Sequence, residues 1–442
     1  MTNKDPHQDV VRPTTSPTIS SWPLTPIDRY AFQWVIHGTW VFDTPLDADA
    51  LKHGLARLLD AYPILCGRAA GSRIEWRAGG VPFVEATDAT LGVADFGPMR
   101  VDATSFAQRM SPALILRGLA PLLTVKLTHI HDGCVLAIGC SHACLDGNGF
   151  YTMARNLSRA ATGRPFALPL FDRPAASEKA RSRRQVARAA REAGWHRLNL
   201  LDLLRFAVAR RGVYKRAFVA RFSPAELHRC KETLAREAAC ARLSTTSALL
   251  AHVAHCVAAM LELRADERFS VSFLVDQRER LSSLPTDFAR NAVSAVATSP
   301  LAAHASAAEI AAGLHERLEP LLARPSPELE AIASLTAEVA ARYLPYSTIP
   351  LSGLPRRRPT LFYTNSFAKL PVYDLDFGGA SRPVRPVRAI PHNLGDQIVV
   401  WPAPPAAGGL EVYFSGPLAR AVARVADTDA WWSELRRFDE PR

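Results

Sequence analysis

The chain lacks most of the features that place a sequence at a glance. The longest weakly charged stretches are too short, or too rich in Ala, Ser and His, to span a bilayer. The opening MTNKDPHQDVVRPTTSPT is polar and proline-bearing, with no apolar centre, so no secretory signal is expected there. Cysteine is sparse, 7 in 442 residues without regular spacing, which fits reduced thiols better than a disulfide framework. These absences point to a soluble, cytoplasmic protein with no membrane attachment. Zinc-ligand spacings, an aromatic RNA-binding signature, a basic-zipper pattern and any repeat of roughly 20–50 residues are also missing. No nucleic-acid partner is expected.

What is present is a large apolar fraction, 48%, enough to bury substantial cores in two or more domains. The net charge of +11 draws anions, whether phosphorylated cofactors, nucleic acid or an acidic protein. Arginine supplies most of it alongside abundant alanine and proline, a usage closer to bacterial than to plant proteins.

Along the chain, the first 22 residues read as a flexible N-terminus. From Leu46 the spacing of Leu51, Leu55, Leu58 and Leu59 predicts a helix, with Asp47 and Asp49 at its start and Pro63 ending it. PLLTVKLTHIHDGCVLAIGCSH predicts a β-hairpin around Asp132-Gly133, its second strand apolar throughout and so buried on both faces. Phe150, Met153, Ala154, Leu157 and Ala161 predict a helix closing at Gly163. Residues 173–216 are arginine-dominated and read as a helical or mobile connection, mainly a solvated linker. The second half restarts with a strand, then a helix with Ser223 as N-cap, Pro224 next and Glu226 at the third position. Strands and helices mix in both halves without regular alternation, which predicts an α+β fold of two lobes. The lobes span 23–172 and 217–442, joined by the basic crossover 173–216.

Chemistry concentrates at AIGCSHACLDGNGF, residues 137–150. His129, His131, His142, Cys134, Cys140 and Cys144 crowd together, but strand alternation points neighbours to opposite faces and no tetrahedral spacing occurs. Buried free cysteines are expected, and no metal. Alternatively, His142 at the end of a buried strand is a general base: an imidazole titrates close to neutral pH and can take a proton from an attacking hydroxyl or amine. Asp146, four residues on, would orient it or anchor the turn. An ordinary packed histidine before an Asp-Gly turn matches the same spacing.

SHACLDG together with LDFGG resembles the two signatures of the BAHD family of CoA-dependent acyltransferases, HxxxDG and DFGWG. LKHGLARLLDAYPILCGR, STTSALLAHVAHCVAAM, VDQRERLSSLPTDFARNAV and TNSFAKLPVYDLDFGGASRP are similar to further family segments, in family order from about residue 46 to 436. The resemblance implies a monomer of two chloramphenicol-acetyltransferase-like lobes, with mixed sheets flanked by helices and a channel at their interface. His142 would be the base, reached by a CoA thioester from one side and a small-molecule acceptor from the other, and no cofactor would be permanently bound. It implies a structural role for Asp146, paired with Arg278, for Gly147, and for Asp376 and Gly378 of the DFG loop. Ser244 and Thr245, opening the STT helix, and Ser366 and Phe367 would contact substrate or CoA.

Departures from the family pattern are specific. DFGWG ends here in Gly379-Ala380. The TSW segment reads Asn365-Ser366-Phe367; the family's threonine steadies the tetrahedral oxyanion, and an asparagine N–H is able to do the same. Arg290, before Asn291, stands where the family has glycine. Condensation domains of peptide assembly share the HxxxDG motif but take acyl groups from a carrier protein, so an acyl carrier protein is the alternative donor. A basic surface suits it as well. A third possibility is a scaffold that has kept the fold without the chemistry.

Overall fold

The structure, a computed structural model, describes residues 6–96, 106–172, 182–192, 218–342, 360–378, 386–391 and 398–414, with 418, 422, 433–436 and 438. The first sheet runs in the order β1 (His7–Val11), β6 (Val81–Asp88), β7 (Leu123–Ile130), β8 (Gly133–Ser141), β3 (Val35–Phe42) and β14 (Pro386–Pro391). The second runs β11 (Val293–Ala297), β10 (Arg268–Asp276), β13 (Thr360–Ser366), β15 (Ile398–Pro402), β16 (Leu410–Phe414) and β9 (Phe218–Phe222), with β12 (Leu301–Ala302) beside β10. A small third sheet orders β2 (Ser21–Pro23), β5 (Arg73–Glu75) and β4 (Arg68–Ala70). Parallel pairs (β6 with β7, β10 with β13, β13 with β15) sit among antiparallel ones. This is the mixed α+β, two-lobe architecture that the sequence predicts.

Local chemistry explains the elements that matter for the site. β7 and β8 form the hairpin, Ile130 opposite Gly133. Gly133 is required there, because a Cβ would stand 2.0 Å from the Phe42 carbonyl oxygen. Every residue of β8 is buried. One face packs on helices α2 (Ala48–Ala61) and α4 (Gly147–Ala161), through Leu55, Leu58, Phe150 and Met153. The other face is covered by Phe96 and Phe106. Asp47 caps α2, accepting from the N–H of Asp49 and Ala50, and Leu51, Leu55, Leu58 and Leu59 are buried, each contributing about 1.5–3 kcal/mol of apolar transfer. In the second lobe the capping box at Ser223 and Glu226 opens the helix Pro224–Glu237.

The second sheet divides two cores. Ile398 and Val400 of β15 belong to the core of the second lobe. Val399 and Trp401, pointing the opposite way, belong to the first core, with Tyr413 of β16 and the loop residues Phe367, Val372, Leu375 and Phe377. Trp40 Nε1 donates to the Val372 carbonyl at 2.8 Å, so a strand of one lobe is hydrogen-bonded to a loop of the other.

Two boundaries differ from expectation. The first 22 residues are not uniformly flexible: β1 pairs with β6, β2 pairs with β5, and Thr14 and Thr15 donate to the Asp60 carboxylate. HQDVV is an edge strand whose one fully buried residue is Val11, so no apolar alternation marks it. The segment 217–442 is not confined to the second lobe either. β14 completes the first sheet beside β3, a long-range pairing that local pattern cannot announce. Within the basic crossover, helix α5 (Arg183–Glu192) packs on the helix Pro327–Arg342 with Val186 buried; residues 173–181 and 193–217 lie outside the described residues. Among the described residues no helix is long and apolar enough to cross a membrane.

Candidate active site

β8 ends by donating the Ser141 N–H to the Leu122 carbonyl at 2.8 Å. The chain then turns: His142 N–H donates to the Trp34 carbonyl at 3.1 Å, and Cys144 N–H to the Ser141 carbonyl at 3.0 Å. Asp146 caps α4 by accepting from the Gly149 N–H at 2.9 Å. The handover leaves His142 half-buried, its ring tilted against Trp34 with centroids 6.3 Å apart. Its Nδ1 lies 3.0 Å from Oδ1 of Asn291, which sits in the second lobe just before β11. The histidine therefore stands where the lobes meet, with Nδ1 engaged.

Asp146 does not turn toward His142. Its carboxylate meets Arg278 side by side, with Nη1 and Nη2 of the guanidinium each 3.0 Å from a carboxylate oxygen, and accepts from the Ala292 N–H at 2.9 Å. Arg278 also donates to the Phe288 carbonyl at 2.6 Å, the Arg290 carbonyl at 2.9 Å and Asp276 Oδ1 at 3.0 Å. Burial opposes the charge on Arg278, but the neighbouring Asp146 and Asp276 carboxylates outweigh it and raise its pKa. Both partners are almost fully shielded, 4% and 1% exposed. The pair fastens the strand end that bears His142 to the second lobe.

Gly147 faces the Phe367 ring, and a Cβ there would stand 3.1 Å from it. Gly149 is tighter: a Cβ would fall 2.0 Å from the Ala289 carbonyl oxygen, backbone that cannot step aside. Gly149→Ala is therefore expected to lower stability by roughly 1–3 kcal/mol, the range for overpacking a tight contact. The readout is a fall in denaturant midpoint; an unchanged midpoint would mean that the lobes do not approach this closely at α4.

The DFG loop fastens the far end of the same helix. Asp376 N–H donates to Ser158 Oγ at 3.3 Å, and Arg164 donates to Asp376 Oδ2 at 3.2 Å and to its carbonyl at 3.1 Å. Gly378 has φ of 66°, the left-handed region that glycine adopts without strain. With 15 residues in α4, the two ends lie about 20 Å apart, so Asp376 is remote from His142.

The other predicted residues are distributed unevenly. Asn365 is half-buried on β13, opposite Val399, and so shares the sheet face that points at the first lobe. Its neighbour Thr364 is buried and donates to the Ser272 carbonyl. Ser366 is exposed at the strand end. Phe367 is not an open contact surface: it packs edge-on against Trp401 and Tyr151, 5.0 and 5.9 Å between centroids, at 8% exposure. Ser244 caps the helix Thr245–Met260, accepting from the Ser247 N–H at 3.0 Å, which engages the hydroxyl assigned to substrate. Thr245 follows it, half-buried. Missed by sequence reasoning were the contact of Asn291 with His142 and, behind it, Asp28.

The histidines and cysteines near the site do not converge. His129 Nε2 lies 3.0 Å from Glu85 Oε1, His131 Nδ1 lies 3.4 Å from Asp132 Oδ1, and His142 faces Asn291. All seven cysteines are free and buried. Burial pushes the thiols of Cys66 and Cys134 up to about 12 and that of Cys140 well above its ordinary value, so these are not thiolate nucleophiles at neutral pH. Elsewhere, His252, Cys256 and Glu434 have donor atoms within 4.8 Å of one another. Cys256 Sγ is 4.0 Å from both ring nitrogens of His252, off the lone-pair line of either, and Nε2 is 2.9 Å from the Leu435 carbonyl. His252 and Cys256 are buried and Glu434 is half-buried.

The Transferase family profile matches residues 6–420. No curated protein matches the chain by sequence. Among solved structures, vinorine synthase superposes with a TM-score of 0.67 at 17% identity, covering 96% of this chain and 98% of its own. TRI101 of F. graminearum, complexed with coenzyme A and T-2 mycotoxin, gives 0.72 at 16% identity, covering 94% and 99%. The first condensation domain of the calcium-dependent antibiotic synthetase gives 0.53 at 16% identity, covering 93% and 92%. With nearly full-length family coverage, two lobes of the same fold and a half-exposed histidine where they meet, the chain belongs to the Transferase family of BAHD-type acyltransferases.

Proposed function

We propose that the protein transfers an acyl group from a CoA thioester to a hydroxyl or amine of a small, specialised-metabolite-like acceptor, with His142 as general base. The observation that carries the reading is the half-buried imidazole at the lobe interface, held at Nδ1 by Asn291 and offering Nε2. In the proposed step Nε2 takes the proton of the acceptor hydroxyl or amine as its oxygen or nitrogen bonds to the thioester carbonyl carbon. The C–S bond then breaks and the proton passes to the departing thiolate, giving the ester or amide and free CoA. Asn365, half-buried on the face toward the first lobe, is the proposed donor to the oxyanion, through its side-chain N–H. The start of the helix at Ser244 and Thr245, and Ser366 at the end of β13, are the proposed donor contacts; Phe367 shapes the site by packing. CoA is a co-substrate, and the setting is a cytoplasmic monomer. The TRI101 complex with coenzyme A supports this donor.

A carrier-bound donor is the second reading, favoured by the likeness to a condensation domain. The test is thiol release from short, long and aromatic acyl-CoAs, with hydroxyl and amine acceptors, and mass detection of the product. Acceptor-dependent release from at least one acyl-CoA is expected. No release from any of them, with turnover of an acylated carrier protein, would overturn the free-CoA donor.

A further inference from the structure

We propose that Asp28 and Arg290 are positioning residues for His142: acting through Asn291, this buried pair decides which ring nitrogen carries the proton. The proposal rests on the reading of His142 as base, and it adds residues from outside both sequence motifs. Asn291 uses both amide hydrogens, with Nδ2 donating to Asp28 Oδ1 at 2.9 Å and to the His142 carbonyl at 2.8 Å. A carboxylate and a carbonyl only accept, so the amide cannot be turned over. Oδ1 must face His142 Nδ1, 3.0 Å away. An oxygen there accepts, so the neutral ring carries its hydrogen on Nδ1 and keeps the Nε2 lone pair for the acceptor's proton.

Asp28 is itself fixed. It is the acidic member of the capping box that opens helix α1 (Pro26–Ala31). Its Oδ2 accepts from the Thr25 N–H at 2.9 Å, the Thr25 hydroxyl at 2.7 Å and Arg290 Nη2 at 2.6 Å. Arg290 also donates to the Pro23 carbonyl at 2.7 Å and the Phe171 carbonyl at 3.4 Å. Asp28, Arg290 and Asn291 are 1%, 3% and 2% exposed, so water offers no substitute partner. Arg290 occupies the position where the family pattern has glycine. In this chain, the buried carboxylate that orients the amide therefore has its own counter-charge.

The experiment labels histidine with nitrogen-15 and reads the tautomer of His142 by NMR at a pH where the ring is neutral, assigning its signals by their loss in His142→Gln. The parent is expected to hold the proton on Nδ1. Asp28→Asn presents an amide that can also donate, so Asn291 is free to turn and His142 is expected to shift toward the Nε2–H form. Arg290→Met, which removes the cation that holds Asp28 Oδ2 in place, is expected to shift it the same way. This readout needs no substrate, so absence of acyl transfer in the parent would sink the functional reading and leave the proposal standing. With a donor the parent turns over, Asp28→Asn is expected to lower kcat by up to about 10⁴-fold, the loss that a fully wrong tautomer brings, with KM for the donor unchanged. In an Asn291→Leu background the same substitution should add nothing. Folded Asp28→Asn protein with His142 still protonated on Nδ1, or an equal further loss of kcat in the Asn291→Leu background, would overturn the proposal.

Discussion

His142→Ala is expected to lower turnover of an acyl-CoA donor by roughly 10²–10⁴-fold, the usual worth of a positioned general base, while the protein stays folded. The two expectations separate because the imidazole belongs to neither apolar core. It is half-buried, and its Nδ1 pairs with Asn291 Oδ1. Truncation leaves that oxygen unpaired, which costs about 1–3 kcal/mol, too little to unfold a chain with two large cores. Circular dichroism and the denaturation midpoint monitor the fold, and thiol release monitors the rate. A folded variant with near-parental turnover would remove His142 from the mechanism.

Asp146→Ala is expected to act through stability first. It leaves the Arg278 guanidinium, 4% exposed, with the partly exposed Asp276 carboxylate as its remaining acidic partner. Breaking a buried pair from one side costs about 3–5 kcal/mol, and loss of the α4 cap adds about 1 kcal/mol. Arg278→Met should destabilise similarly, because it strands the Asp146 carboxylate. Urea midpoints measure both, at unchanged slope if the transition stays two-state. Activity would fall with the folded fraction. Were Asp146 itself a proton carrier, Asp146→Ala would lose activity at parental stability, and the structural assignment would be wrong.

What the sequence discloses follows from where the information lies. The hairpin of β7 and β8 is legible because alternation, the Asp132-Gly133 signal and an apolar second strand are local and agree, although the loop itself is His131-Asp132, with Gly133 already paired to Ile130. The Ser223-Glu226 capping box is legible for the same reason. The SHACLDG segment lies where β8 hands over to α4, with His142 just past the strand and Asp146 as the helix cap. Asn291 and Asp28 do not announce themselves. Asp28 already has a complete local explanation as the acid of a capping box, and its second contact lies across the lobe interface. Phe367 reads as a ligand contact from its place in a motif, yet the rings of Trp401 and Tyr151 come to it from distant segments and bury it. β1 and β14 escape notice because short edge strands owe their existence to their partners rather than to their own pattern.

The most direct measurement is a crystal structure of the protein with CoA bound. The pantetheine arm is expected to enter between the lobes, with its sulfur beside Nε2 of His142. Nδ1 is expected to stay on Asn291, and Asp146 on Arg278. An arm that ends away from His142, or an imidazole that turns Nδ1 toward the sulfur, would contradict the assignment of His142 as base.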